Sequence, residues 1–326
     1  EYLMNIWGIT GGRRGNDVLV EGVAQALGGT YRSVHTQLRA PWKWLAPYRL
    51  AEIAAKGDAT IAPPFPDMVI ASARQAVPHT RYIKRASGGR VFTAFLQNPS
   101  IHPAHFDFVW APAHDRLRGE NVLQSLLSPH AMSLPELAKQ AKASRARLVP
   151  KPVNGKLISV LIGGPNAVYP FGADEMAALA TGLAGLAEQG HYLLISLSRR
   201  SPDSYADLLR QKLPEGSYFL WDNQGANPYR AMLGLAEQII VTADSVNMVG
   251  EACLPGVPVQ VFGLKGGSDK FRRFHAAIQA ADLVRPFTHG LEAWAVQSQN
   301  ATPEIAAAIA EAYARHRVQL SQETSE

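Results

Sequence analysis

Asp244, Ser245 and Glu251 fall within one stretch, residues 238–262, QIIVTADSVNMVGEACLPGVPVQVF. The stretch reads as a buried strand from Ile239 to Thr242, a tight polar turn at Ala243-Asp244-Ser245, and a short helix ending near Cys253. A second strand opens at Val259. In such a unit the free amides of Val246, Asn247 and Met248 point out of the carboxyl edge of a parallel sheet, which suits an anion, typically a phosphate. Glu251 follows six residues after Ser245 on the same helix and can serve a second part of the same ligand. Ser245 also has a purely structural use as a helix N-cap. Asp244 counts against a phosphate unless its carboxylate faces away or caps the helix.

Four further predicted strand ends carry candidates of the same kind. They are Gly163-Gly164-Pro165-Asn166, Ser198-Arg199-Arg200, Asp222 to Asn227, and Gly263 to Lys270, which contains Ser268. In a parallel sheet these termini share one edge, whatever the strand order. Glycine allows close backbone approach, and arginine can hold a diphosphate bidentately. Arg199 alone is an ordinary solvated residue. The agreement of five strand ends points to a nucleotide-diphosphate ligand.

The first half offers a different loop. Gly11, Gly12, Arg13, Arg14 and Asn16 lie in ITGGRRGN, between a predicted strand and a predicted helix, where an open α/β sheet binds ligands. The glycines do not fit G-x-G-x-x-G, and no acidic residue follows about 20 positions on at a second strand end, so a dinucleotide is not indicated. A plain turn with exposed arginines is the competing reading. The segment RAPWKWLAPYR (39–49) sets Trp42 and Trp44 among basic residues and prolines. Exposed, it makes an amphipathic patch for a membrane interface or a lipid-linked acceptor. Folded inward, it is a loop packed on the core.

The elements that must position these residues follow a regular alternation. Strands are expected at 3–9, 66–72, 91–97, 106–112 and 121–127, with a helical run at 18–27 and a basic segment at 73–86. A helix at 133–148 starts with Ser133 and Glu136 placed as a capping box. VPKPVNGK (149–156) is the best linker. The pattern then restarts, with strands at 157–164, 191–198, 217–222, 238–242 and from 259, and helices at 173–189, 203–213, 227–236, up to about 281, and 303–317. Strands separated by helices or long crossovers predict α/β units with parallel sheets and helices on both faces. The expected division is a first Rossmann-like domain over 1–150 and a second over 151–302, with the terminal helix 303–320 a candidate to complete the first.

Bulk properties agree. A chain of 326 residues suits two domains of roughly 150 residues each. A hydrophobic content of 47% with 18% charged residues is that of a globular protein and excludes disorder. The net charge of +5 favours anionic partners, namely nucleotides, phosphorylated sugars or a lipid surface. No dense Lys/Arg run with interleaved aromatics indicates nucleic acid. The single cysteine, Cys253, excludes a disulfide framework and reads as a small buried hydrophobe. No signal peptide or run of ~18 apolar residues is apparent. The expected location is the cytoplasm, with a peripheral place on the inner face of the inner membrane as the alternative. The three residues before Met4 read as a remnant.

In this order, ITGGRRGN, LRAPWKWLAP, ASGGRVFTAFLQNP, HDRLRGENVL, VLIGGPN, SLSRRSP, NPYRAML, VTADSVNMVGEA and GGSDKFRRFH resemble the family named for the plant mitochondrial-fission (elongated mitochondria) protein and its proteobacterial relatives. The resemblance covers nearly the whole chain. It implies a GT-B glycosyltransferase type of fold, in which two Rossmann-like domains face each other across a cleft. The peptidoglycan N-acetylglucosaminyltransferase of that superfamily is the useful comparison. By that resemblance Ser245 and Val246 would meet a diphosphate, Glu251 would take the ribose hydroxyls, Gly163 and Gly164 would line the donor turn, and Arg199 would neutralise the phosphates. Asn166, Arg200, Asn227, Asn247, Ser268 and Lys270 complete the expected donor side. Gly11, Gly12, Arg13, Arg14 and Asn16 form the expected acceptor side. Family members commonly read D-G-x-A-G-H near the first loop, and this chain lacks that histidine.

An inverting reaction of this class needs a general base from the first half to deprotonate an acceptor hydroxyl. Asp115, helped or replaced by His114, is the first choice, and Asp17 follows. The alternative is that Asp115 pairs structurally with Arg116 or Arg118. No metal or cofactor is expected, since basic groups and the helix dipole do a metal's work in this class, and no D-x-D motif or histidine cluster appears. The implied partners are a nucleotide-sugar donor and a sugar or lipid-linked acceptor. Three readings stand: a sugar transferase, a non-catalytic interaction protein as the plant relative's role in fission implies, and a nucleotide-sugar epimerase.

Overall fold

The computed structural model describes residues 3–48 and 51–323, so Glu1, Tyr2 and the last residue of the 39–49 stretch, Arg49, lie outside the described residues. The chain separates into two compact units, Glu1–Ala131 with Ala301–Glu326, and Met132–Asn300.

The first unit runs β1 (Asn5–Thr10), α1 (Arg14–Leu27), β2 (Thr30–His35), α2 (Trp42–Leu45), α3 (Glu52–Lys56), β3 (Met68–Ser72), α4 (Val77–Ala86), β4 (Phe92–Leu96), β5 (Phe108–Pro112) and β6 (Val122–Ser125). Its sheet is ordered β2-β1-β3-β4-β5-β6, with every neighbouring pair parallel. Strands β3, β4 and β5 are buried at every position. Alternate residues feed two cores: Ile6, Met68, Phe92 and Leu96 join one face, while Trp7, Val69 and Phe95 join the other. That two-sided burial is why these strands are continuous apolar runs instead of alternating ones. Strand β2 is different. Five of its six residues are exposed, all but Val34, and this polar edge strand was not expected from the hydrophobic pattern.

The second unit contains α5 (Leu134–Leu148), β7 (Leu157–Ile162), α6 (Ala173–Glu188), β8 (Tyr192–Leu197), α7 (Asp203–Lys212), β9 (Tyr218–Trp221), α8 (Tyr229–Leu235), β10 (Gln238–Thr242), α9 (Val246–Ala252), β11 (Val259–Phe262), α10 (Asp269–Ala280) and β12 (Arg285–Pro286). Its parallel sheet is ordered β12-β11-β10-β7-β8-β9. The final helix, α11 (Thr302–Glu323), returns to the first unit. There Ile305 and Ile309 enter the core beside Phe92, and Tyr313 meets Phe92 edge-on at 5.6 Å between ring centroids.

The boundary corrects the expected division at residue 150. Helix α5 belongs to the second unit because it packs on α8 so closely that a Cβ on Gly234 would lie 2.4 Å from the Leu137 carbonyl oxygen. Leu148 at its end joins Leu157, Tyr192, Leu194 and Met232 in one apolar cluster. The proline-rich stretch 149–156 is therefore a connection inside the second unit. Ser133 does cap α5, accepting from the Glu136 amide at 3.4 Å.

Candidate functional site

The order of the second sheet reverses between β7 and β10, the place where open α/β sheets bind ligands. The turns leaving β7, β8 and β10 are knitted together there around one buried carboxylate. Asp244 Oδ1 accepts from Thr242 Oγ1 at 2.6 Å. Its Oδ2 accepts from the Gly164 amide at 3.1 Å and from Arg200 Nη2 at 2.7 Å. Arg200 Nη1 donates to the Gly164 carbonyl at 2.6 Å, and the Gly163 amide donates to Thr242 Oγ1 at 2.8 Å. A Cβ on Gly163 would lie 2.0 Å from Asp244 Oδ2, and one on Gly164 would lie 2.4 Å from the Arg200 carbonyl carbon. These glycines make room for the carboxylate and the neighbouring turn. Asp244 is thus neutralised by Arg200, which was expected on the donor side and is engaged by Asp244 here.

Beside this knot, Ser245 caps α9, accepting from the Met248 amide at 3.4 Å, with Val246 and Asn247 half-buried in its first turn. Further along α9, the Glu251 carboxylate accepts a 2.7 Å hydrogen bond from the Tyr229 hydroxyl. Burial pushes that phenol well above its ordinary range, and the charge of Glu251 pushes it further. Tyr229 stands in the first turn of α8, where its amide donates to Asn227 Oδ1 at 2.9 Å. Asn166 is similarly occupied, accepting from the Val168 and Tyr169 amides and donating to the Asp244 carbonyl at 3.2 Å. Ser268 caps α10, accepting from the Phe271 amide at 3.5 Å, and Lys270 lies on that helix's exposed first turn. Arg199 is exposed. His275 Nε2 sits 2.9 Å from the Ala243 carbonyl, and burial lowers its pKa. Burial pushes the Cys253 thiol up to about 12, which keeps it an unreactive packing group.

In the first unit the sheet order reverses between β1 and β3. A cavity of about 280 Å³ opens there, lined by Gly11, Arg13, Asn16, Lys43, Ala73, Arg74 and Gln75. Ala73 holds φ 84° and ψ 144°, a backbone region that costs an L-residue roughly 1–3 kcal/mol. Arg74 Nη2 donates to the Lys43 carbonyl at 3.3 Å, tying the end of β3 to α2. In the same loop Asp17 Oδ1 accepts from Thr10 Oγ1 at 2.5 Å and lies 3.4 Å from His35 Nε2. His35 comes from the end of β2 and packs beside Gly12. A histidine therefore stands at this loop after all, supplied by the neighbouring strand. Arg14 points to Glu21 at 3.7 Å.

His114 and Asp115 form a short helical turn after β5. Their side chains are only 4% and 6% exposed, and His114 Nε2 lies 3.8 Å from Asp115 Oδ1. The first-choice base is thus enclosed, while Asp17 and His35 are open to a ligand. Trp42 is half-buried against Leu38 and Ala46, so Trp44 alone of the two tryptophans is displayed, at 72% exposure.

Residues 14–313 match the family described as Mitochondrial fission ELM1. The chain belongs to this family. It is 28% identical over 273 residues to the Mitochondrial fission protein ELM1 of Arabidopsis thaliana, covering 75% of this chain and 63% of that one. Among solved structures, the UDP-GlcNAc 2-epimerase of Neisseria meningitidis bound to UDP-GlcNAc is similar with a TM-score of 0.52 at 11% identity, over 96% of this chain and 100% of the other. Spinosyn forosaminyltransferase SpnP is similar with a TM-score of 0.50 at 14% identity, over 99% and 95%. At such identities the likeness is one of fold. This ELM1-family chain has two six-stranded Rossmann-like units of the GT-B type.

Tyr229, His35, Lys43 and Arg74 are the residues that the sequence did not single out. Tyr229 lay inside a predicted helix, His35 ended an unexpected strand, and Lys43 and Arg74 become neighbours only through tertiary packing. Among the described residues no group of three or more His, Cys, Asp or Glu side chains is placed to hold a metal ion.

Proposed function

We propose that this protein is a GT-B-type glycosyltransferase that moves a sugar, without a metal, from a nucleotide-diphosphate sugar to a sugar or lipid-linked acceptor. The observation that carries the reading is the pair Tyr229–Glu251 beside the Ser245 turn at the β7–β10 reversal. A carboxylate held in place by a half-buried tyrosine hydroxyl accepts well from two adjacent ribose hydroxyls. The Gly163-Gly164 turn, the Val246 and Asn247 amides and Arg199 receive the diphosphate, whose negative charge grows as it leaves.

On the acceptor side, His35 Nε2 lies 3.4 Å from both Asp17 Oδ1 and Ser33 Oγ, and we assign the other ring nitrogen, Nδ1, as the base. His35 takes the proton of the acceptor hydroxyl, the oxygen attacks the anomeric carbon, and the nucleoside diphosphate departs with the bonding electrons. His35→Asn is expected to lower kcat by about 100-fold, as removal of a general base does, with donor affinity unchanged. A soluble protein in peripheral contact with a membrane through Trp44 fits this reading, and among the described residues no helix is long and apolar enough to cross one.

The discriminating measurement is thermal stabilisation by uridine, guanosine and cytidine diphosphates and their sugars. At least one is expected to raise the melting midpoint, and Glu251→Ala is expected to abolish the rise. No stabilisation by any of them, or one that survives Glu251→Ala, sinks the enzyme reading. The near-complete burial of His114 and Asp115 favours the second reading, a non-catalytic interaction protein on the same scaffold. Interconversion of two nucleotide sugars without an acceptor would instead mark an epimerase.

A further inference from the structure

We propose that the cavity between the ends of β1 and β3 in the first unit is a binding site for a phosphate or diphosphate group. Three cations from three separate elements line it: Arg13 from the loop after β1, Lys43 from α2, and Arg74 from the turn after β3. The remaining polar side chains of the lining, Asn16 and Gln75, are neutral amides, and among the described residues no carboxylate lines the cavity. The nearest acid of that loop, Asp17, is engaged by Thr10 and His35. Three like charges around one space repel one another, and an anion between them removes that repulsion.

The cavity is also built to keep its shape. Ala73 holds its unusual backbone conformation immediately before Arg74, and Arg74 uses one of its five guanidinium donors on the Lys43 carbonyl. The rest remain for bidentate contact with a phosphoryl oxygen pair. At about 280 Å³ the space accommodates a diphosphate, and Gly11 exposes backbone with nothing within 4 Å of where a side chain would start.

The same chemistry has two sources, a free phosphorylated molecule or the headgroup of a phospholipid. The neighbourhood favours the headgroup. Trp44, one residue from Lys43, is displayed to solvent, and so are Tyr48 and Ile53 just beyond it. Exposed tryptophan and tyrosine beside cations suit the boundary between headgroups and acyl chains. The inference stands on the cavity, and rests on the transferase reading only in assigning the phosphate to the acceptor.

The test is calorimetric titration of the full chain with inorganic pyrophosphate. Arg199→Ala serves as background, to remove the second unit's exposed arginine. Binding is expected on that background, weakened at least about tenfold by Arg74→Ala or Lys43→Ala, each removing one cation from the shell. Circular dichroism confirms that each variant is folded. If Arg74→Ala proves unfolded, Arg13→Ala and Lys43→Ala carry the test. No binding, or binding unchanged in all of these variants, overturns the proposal.

A second arm separates the sources. Co-sedimentation with phosphatidylcholine vesicles containing phosphatidic acid, relieved by pyrophosphate and by Lys43→Ala, identifies a lipid headgroup. Pyrophosphate binding without vesicle binding identifies a free phosphorylated ligand. Uridine diphosphate titrated into the chain with Arg199 intact keeps the two readings apart. A protein that binds pyrophosphate here but no nucleotide retains this site and loses the transferase, and the reverse result does the opposite.

Discussion

Arg200 reaches from the turn after β8 to the buried carboxylate of Asp244 after β10, with 2.7 Å between Nη2 and Oδ2. The same guanidinium holds the Gly164 carbonyl, so one side chain fixes three strand ends. Arg200→Ala leaves Asp244 buried with only a hydroxyl and an amide to support its charge. Because Arg200 is itself partly exposed, the expected loss is roughly 2–3 kcal/mol, below the range for a wholly buried pair. Urea denaturation measures it, and a change under about 0.5 kcal/mol, the size of an ordinary surface substitution, would show that the pair is not what holds the turn.

The glycines of that turn give a sharper contrast. A Cβ on Gly163 would stand 2.0 Å from Asp244 Oδ2, whereas one on Gly185, in the interior of α6, meets nothing within 4 Å. Gly163→Ala is expected to destabilise by about 1–3 kcal/mol or more through overpacking. Gly185→Ala is expected to stabilise by roughly 0.5–1 kcal/mol through reduced chain entropy. Equal melting midpoints for the two variants would contradict the packing described around Asp244.

The fold was legible because its strands are unambiguous. Runs such as Met68–Ser72 and Leu157–Ile162 are buried throughout, and two-sided burial writes itself into sequence as unbroken apolar stretches. The convergence of Gly163, Arg200 and Asp244 followed from parallel topology alone. Their roles did not, because which partner a charge selects depends on side-chain reach across the sheet edge. By sequence Asp244 opposed a phosphate and Arg200 stood on the donor side, and tertiary structure pairs the two with each other. His35 escaped because β2 is a polar edge strand, and Tyr229 because a helical tyrosine looks like any core residue until its hydroxyl is seen facing Glu251. The domain boundary escaped because a Pro-rich stretch resembles a linker even when the helix before it is packed on the far side.

His275 adds a pH dependence. Burial disfavours its charged form, so its folded pKa lies below the ordinary 6.5, and His79, almost wholly buried, is lowered for the same reason. The unfolded chain therefore binds more protons in this window. The contribution is fully present above about pH 6.5 and is lost as pH falls through the folded values. Melting midpoints recorded from pH 8 down to pH 5 are expected to hold and then decline (window set by the ordinary histidine value, roughly 6.5). His275→Asn should flatten part of that decline. An unchanged slope in His275→Asn would remove His275 from the account.

Tyr229 and Glu251 provide the prediction that separates a working site from an inherited scaffold. Tyr229→Phe keeps the ring that packs α8 and deletes only the hydroxyl that Glu251 accepts. A hydrogen bond to a charged group contributes about 1.5–3 kcal/mol. Its loss removes one restraint on the carboxylate, which then awaits the ribose in a less fixed orientation. Nucleoside-diphosphate affinity should then fall by roughly tenfold, while pyrophosphate, which has no ribose, should bind as before. Glu251→Gln retains an acceptor for Tyr229 but not the charge, and is expected to fall between wild type and Glu251→Ala. A purely structural role predicts a lower melting midpoint in Tyr229→Phe with nucleotide affinity untouched. Isothermal titration beside thermal denaturation on the same three variants distinguishes the two, because only a ligand-facing carboxylate makes affinity follow its orientation more closely than stability does.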